Sequence, residues 1–286
     1  MAEILKGAEV VAALNDKMMA DVAKLKDSGV VPTLAILRVG ERADDVSYER
    51  GAMKRCDTVG VAVKNIILPA DVDQETLMAR VEQLNRDASV HGVLVFRPLP
   101  KHLDGEALRR ALAPEKDVDG ITDGSLAGVF TGSGDGFAPC TAQAAIEILD
   151  YFHIDCTGKR AVVIGRSLVV GKPVAMMLMT KNATVTVCHT RTVDMPAITK
   201  QAEILVVCAG VMESIDAAYL SPGQTVIDVG INWNEEKGKL CGDVKFDEAE
   251  PLAGAITPVP GGVGTVTTSV LVSHVVEAAK RQAGAK

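Results

Sequence analysis

Apolar and polar positions along this chain follow two rhythms that replace each other repeatedly. From Ala8 to Lys26 apolar residues recur at helical spacing, which predicts a helix. Thr33 to Val39 is a short, nearly unbroken apolar run and reads as a strand. The pair then repeats, with a helix over Asp45–Val59, a strand over Val61–Leu68, a helix over Asp73–Asp87 and a strand over Gly92–Phe96. Pro98-Leu99-Pro100 ends that strand and turns the chain outward, and Gly105–Ala113 reads as a short helix. Past a helix near Cys140–Tyr151 the alternation resumes. Strands are expected near Ala161–Ile164, Thr184–Cys188, Ile204–Ala209 and Thr225–Val229, and a closing helix from about Val266 to Ala283. Apolar strands set between helices mean parallel sheets covered on both faces, so the fold class is α/β.

Composition narrows the function. A chain of 286 residues, 48% hydrophobic, is long enough for two domains with a sizeable core. A net charge of −7 argues against a general nucleic-acid binder. No apolar run reaches membrane-spanning length, and the first seven residues lack a secretory signal pattern, so a cytoplasmic location is expected. The six cysteines are scattered with no C-x-x-C pair, which disfavours a zinc site and predicts free thiols; no metal is expected. The five histidines are equally dispersed, and His189, just past a strand, is expected to hold position rather than a metal.

Three glycine-bearing segments carry candidate chemistry. In Ile256-Thr257-Pro258-Val259-Pro260-Gly261-Gly262-Val263-Gly264, two prolines fix φ and withhold N–H donors, and glycines let the backbone approach a ligand. Read by itself this is a tight structural loop or a corner for a flat polar ligand. Val163-Ile164-Gly165-Arg166-Ser167, continuing to Gly171-Lys172-Pro173, follows an apolar strand and leads into a helix. Strand, glycine turn and helix form the geometry of a dinucleotide phosphate site, although the spacing is not G-x-G-x-x-G. Lys116-Asp117-Val118-Asp119-Gly120 sets two carboxylates beside a glycine, which in isolation is a solvated turn.

Together and in this order, these segments resemble the methylenetetrahydrofolate dehydrogenase/cyclohydrolase family. Further matches stand in register: Phe137-Ala138-Pro139-Cys140-Thr141, Ala183 to His189, Val226 to Asn232, and Gly242-Asp243-Val244. The resemblance covers Gly7 to Lys280. It implies an N-terminal α/β folate domain over residues 1–140, completed by a C-terminal helix at 266–286. It also implies a Rossmann-like NAD(P) domain over 141–265, an active site in the cleft between the two, and a homodimer. The implied reaction moves a hydride from the methylene bridge of 5,10-methylenetetrahydrofolate to the nicotinamide C4, leaving a resonance-stabilised methenyl cation with no proton to abstract. Bifunctional members then hydrolyse that cation with the help of a lysine.

The same resemblance assigns residues. Tyr48 and Asp119 match catalytic and substrate-binding positions, with Pro260, Gly261 and Gly262 also beside the substrate. Gly165, Arg166 and Ser167 match the phosphate turn, Thr190 and Arg191 stand where a 2′-phosphate is met, and Ile231 matches the residue whose backbone meets the nicotinamide. Two arginines near a phosphate position, with no acidic residue after the second strand, favour NADP, with NAD as the alternative.

Two departures coincide. The family's Y-x-x-x-K helix reads Tyr48-Glu49-Arg50-Gly51-Ala52, so the lysine position is Ala52. Lys54 is no shifted substitute, since two residues on lies roughly 200° round a helix. The family's V-Q-L-P-L-P reads Val95-Phe96-Arg97-Pro98-Leu99-Pro100, so the glutamine that would tune the lysine is Phe96. Arg97, Ala142 and Thr265-Val266 depart nearby as well. Three readings stay open: a monofunctional NADP-dependent methylenetetrahydrofolate dehydrogenase, a dehydrogenase of a different reduced pterin or one-carbon carrier, and a non-catalytic folate- or nucleotide-binding regulator.

Overall fold

A computed structural model describes residues 1–284. In chain order it runs β1 (Glu3–Ile4), α1 (Gly7–Asp27), β2 (Thr33–Val39), α2 (Ala43–Val59), β3 (Ala62–Leu68), α3 (Gln74–Arg86) and β4 (Gly92–Val95). Three helices follow, α4 (Gly105–Ala111), α5 (Asp123–Thr131) and α6 (Cys140–Tyr151). The second half comprises β5 (Arg160–Ile164), α7 (Gly171–Thr180), β6 (Thr184–Cys188), α8 (Met195–Thr199), β7 (Ile204–Val207) and β8 (Thr225–Asp228). Last come β9 (Asn232–Asn234), β10 (Lys239–Cys241), α9 (Phe246–Ala249), β11 (Ala255–Ile256) and α10 (Val263–Gln282).

The chain divides into two compact units. One holds Ala13–Cys140 and the chain from Thr268 on. Its three-stranded parallel sheet has the order β3-β2-β4, with Leu37 of β2 opposite Ile66 and Val95. Parallel neighbours cannot be joined by a hairpin, so α2 and α3 supply the crossovers. All seven residues of central β2 are buried, and Leu37, Leu77, Val81, Val93 and Leu108 form a core with almost no exposed surface. Removing a side chain of that size from water is worth about 1.5–3 kcal/mol.

The other unit holds Met1–Ala12 and Thr141–Thr267. Its six-stranded sheet has the order β1-β11-β8-β7-β5-β6, and every pairing in it is parallel. Strand order reverses at β5: β6 lies on one side and β7 on the other. In an open parallel sheet the crevice at the carboxyl ends of strands at such a reversal is where ligands bind.

The structure moves one boundary. The expectation put residues 1–140 in one domain, but Glu3 and Ile4 pair with Ala255 and Ile256, which draws the first residues into the six-stranded sheet. A two-residue strand is too short for periodicity to reveal. The pattern also assigned no element to residues 123–131, which form α5; Gly124 and Gly128 weaken the helical signal, and the Thr122 hydroxyl caps it by accepting from the Ser125 amide at 3.1 Å. The short antiparallel pair of β9 and β10 was likewise not expected. The closing helix begins at Val263, three residues before the expected Val266; positions 285 and 286, included in the expected span, lie outside the described residues. Among the described residues no helix is long and apolar enough to cross a membrane, and no cluster of three or more His, Cys, Asp or Glu is placed to hold a metal.

Candidate functional site

In the three-stranded unit, α2 presents Tyr48 and, one turn on, Ala52. The helix is anchored by Glu49, whose carboxylate accepts from Arg38 Nε of β2 at 2.7 Å and from Asn65 Nδ2 of β3 at 3.2 Å. Ala52 and Cys56 are fully buried, whereas Lys54 is exposed, so Lys54 lies off the face that carries Ala52. Phe96, directly after β4, sets its ring edge-on to Tyr48, with centroids 5.9 Å apart and planes at 83°. The position opposite Tyr48 is therefore apolar. Burial pushes the Tyr48 hydroxyl well above the ordinary phenol range, with Cys140 and Asp119 adding to the effect, so it stays protonated and serves as a donor.

The Lys116–Gly120 segment separates its two carboxylates by role. Asp117 has no exposed surface, and its oxygens accept from the Ile121 amide at 3.0 Å and the Thr122 amide at 2.7 Å. Lys116 donates to the carbonyls of Leu84 and Asp87, tying the segment to the end of α3. Gly120 is obligatory: its φ is +69°, and a Cβ there would lie 2.4 Å from the Pro139 nitrogen. With Asp117 consumed by the turn, Asp119 is the carboxylate left available. Its side chain is 27% exposed yet closely surrounded, and burial pushes its carboxyl up to about 6. The guanidinium of Arg97, 4.0 Å away, pulls it back, and Asp117 adds to the rise.

Two neighbours were not singled out from sequence as site residues. The Cys140 thiol donates to the Val118 carbonyl at 3.2 Å, beside Asp119, and is held well above the usual thiol range by burial. His274 of α10 donates from Nδ1 to the same carbonyl at 2.9 Å and stacks on Phe137, its centroid 5.0 Å away. Burial lowers its pKa to about 4, so it is neutral near pH 7. His274 lies more than 130 residues from the segment it supports, and nothing local in the sequence marks it. Arg97, itself a departure from the family pattern, approaches Asp119 because the chain returning after α4 bridges Asp117 to Val93 of β4.

The six-stranded unit carries the second constellation. Gly165 follows β5 directly, at the reversal of strand order. Its φ is +130°, and a Cβ would sit 2.4 Å from the Cys208 carbonyl after β7, so only glycine closes this turn. Ser167 Oγ accepts from the amides of Val170 at 3.1 Å and Gly171 at 3.5 Å, closing the turn that leads into α7, while Arg166 and Ser167 themselves are exposed. A bare turn leading into a helix N-terminus is suited to a phosphate. After β6, His189 Nδ1 accepts from the Arg191 amide at 3.1 Å and its own amide donates to the Thr192 hydroxyl at 2.9 Å. His189 thus shapes the turn that exposes Thr190 and Arg191.

Ile231, 59% exposed, is presented by a braced loop. Buried Asp228 accepts from the amides of Gly230 at 2.9 Å, Asp243 at 3.1 Å and Val244 at 2.9 Å. Asp243 in turn accepts from the Gly210 amide at 2.7 Å and Asn232 Nδ2 at 3.0 Å. Asp228→Ala should leave three buried donors without partners and lower stability by about 3 kcal/mol or more, read as a fall in melting temperature. Pro260, Gly261 and Gly262, expected beside the substrate, fold in this unit, where the Gly7 amide donates to the Gly261 carbonyl at 2.8 Å.

Comparison with known proteins matches both halves of the chain to one family. Residues 5–119 match the catalytic domain of the tetrahydrofolate dehydrogenase/cyclohydrolase family, and residues 139–283 match its NAD(P)-binding domain. The bifunctional protein FolD of Carboxydothermus hydrogenoformans is 48% identical over 279 residues, covering 97% of each chain. The bifunctional FolD of Campylobacter jejuni superposes with a TM-score of 0.95 at 36% identity, over 98% of this chain and 99% of that one. The Trypanosoma brucei methylenetetrahydrofolate dehydrogenase-cyclohydrolase, solved with NADP cofactor and inhibitor, gives 0.91 at 35% identity, covering 99% and 98%.

Proposed function

Since this chain belongs to the tetrahydrofolate dehydrogenase/cyclohydrolase family, we propose that it oxidises 5,10-methylenetetrahydrofolate to the 5,10-methenyl compound with NADP and has lost, or nearly lost, the hydrolytic step. The Campylobacter jejuni and Trypanosoma brucei relatives carry both activities in their names, so the proposed loss rests on this chain's own residues. The observation that carries it is the fully buried methyl of Ala52 one turn from Tyr48, with the Phe96 ring packed on the tyrosine. No ionisable group stands at position 52 to exchange a proton with water or with the leaving nitrogen.

The folate site needs no base for hydride removal. Asp119, when ionised, accepts from the amino-pyrimidinone edge of the pterin, and its negative charge favours the cationic product. Tyr48, kept protonated by burial, donates a hydrogen bond and walls the pocket with Phe96. NADP, when bound, supplies the hydride acceptor. Its phosphates fit the cradle at Gly165, where a side chain would collide with Cys208, and Arg166, Ser167, Thr190 and Arg191 would hold them. Ile231 and its backbone would meet the nicotinamide.

The test is a spectrophotometric assay with methylenetetrahydrofolate and NADP that follows reduced cofactor and methenyl product separately. Equal accumulation of both supports the reading, and binding without turnover would mark a regulator instead. Arg166→Ala should remove a charge-assisted phosphate contact of about 1.5–3 kcal/mol. The KM for NADP should then rise about 10–100-fold while that for NAD changes little. A wild-type enzyme that uses NAD more efficiently than NADP would show the phosphate assignment to be wrong.

A further inference from the structure

Arg97 follows β4 beside Asp119, and its side chain is 35% exposed. The other arginines tied to carboxylates in this unit are hydrogen-bonded to them: Arg38 to Glu49, Arg86 to Glu82, Arg109 to Glu106 and Asp123, and Arg281 to Glu277. Arg97 differs. Its Nη2 stands 4.0 Å from Asp119 Oδ2, outside hydrogen-bonding distance, and among the described residues none accepts a hydrogen bond from it. A guanidinium carries five N–H donors in a planar fork, and here no described residue accepts from them, so they are open to solvent or to a ligand.

The juxtaposition with Asp119 says what such a ligand offers. A carboxylate that, when ionised, only accepts and a guanidinium that only donates stand side by side. The pyrimidinone edge of a pterin carries the complementary pattern, N–H groups at the 2-amino position and N3 next to the C4 carbonyl oxygen. The family resemblance places leucine at 97, which could not donate. We propose that Arg97 is a specificity-determining residue that donates to the C4 oxygen while Asp119 accepts from the adjacent N–H groups, so that the pair reads the 4-oxo form of the ring. This rests on the reading that the pocket takes a reduced folate. It also gives the departure at position 97 a function that mere loss of the lysine at position 52 does not.

The experiment compares kcat/KM for 5,10-methylenetetrahydrofolate with that for its 4-amino-4-deoxy counterpart, in wild type, Arg97→Leu and Arg97→Gln. A general structural defect lowers both substrates alike and leaves their ratio unchanged. The wild type should prefer the 4-oxo substrate, and Arg97→Leu should narrow that preference about 10–100-fold, the range of one charged hydrogen bond. Arg97→Gln keeps an N–H donor without charge and should retain part of the preference. An unchanged ratio in Arg97→Leu, with normal wild-type turnover of methylenetetrahydrofolate, overturns this inference and leaves the proposed function standing. Arg97→Gln behaving as Arg97→Leu also overturns it, since Arg97 would then act only as a counter-charge to Asp119. A wild type that turns over neither substrate removes the functional reading, and this inference with it.

Discussion

Purified protein should convert methylenetetrahydrofolate and NADP to the methenyl compound and then leave that compound to hydrolyse at its uncatalysed rate. A positioned proton-transfer group typically contributes about 10²–10⁴-fold, and Ala52 supplies none. Arg97 cannot substitute, because a guanidinium does not exchange protons near neutrality. Lys54 and Lys101 are both exposed, and Lys54 points off the Ala52 face. The measurement is decay of methenyl absorbance with and without protein, in a buffer that does not itself catalyse the hydrolysis. Acceleration comparable to a bifunctional relative would sink the idea. Ala52→Lys alone should restore little, because position 52 is fully buried and Phe96 dries the site, which disfavours a new ammonium. Ala52→Lys with Phe96→Gln should restore more, the two acting as a unit.

Asp119→Ala should lower kcat/KM for the folate by about 10²-fold or more, each lost charge-assisted bond being worth about 1.5–3 kcal/mol, while the melting temperature changes little. The pH dependence gives a sharper signature. Burial raises the Asp119 carboxyl to about 6, so it is ionised at pH 7 and takes up a proton as pH falls through that value. A protonated carboxyl accepts fewer bonds and offers no charge to the cation, so kcat/KM should drop below about pH 6. The groups facing it do not blur the window. Tyr48 keeps its proton throughout, Cys140 titrates far above it, and His274 is neutral down to about 4. Asp117 is held in its turn by two amides. Asp119→Asn should abolish this acid limb along with most of the activity. A limb that survives unchanged in Asp119→Asn would belong to another group.

Much of this was legible before any fold was drawn. Helical spacing over 8–26 and 45–59 and the apolar runs at 33–39, 161–164 and 204–209 depend only on neighbours along the chain, so the α/β alternation could be read directly. The substitution at position 52 was legible through the family resemblance, whose Y-x-x-x-K pattern sets the lysine position one helical turn from Tyr48. Gly165 and its turn announced themselves through a local backbone demand.

What the tertiary structure alone decided is the division of labour among residues of like chemistry. Spacing alone offered Asp117 and Asp119 as equals, and only the family resemblance picked Asp119; the fold gives the first to two backbone amides and leaves the second available beside Arg97. Asp228 and Asp243, quoted only as motif letters, proved to be braces for the loop that carries Ile231. His274 reached Val118 from the last helix, and Glu3–Ile4 joined a sheet whose partner strand lies some 250 residues on. Periodicity is written by adjacent residues, and the sequence determined it. Whether a polar group is satisfied depends on what distant segments bring to it, and that is known only once strand order has set which segments meet.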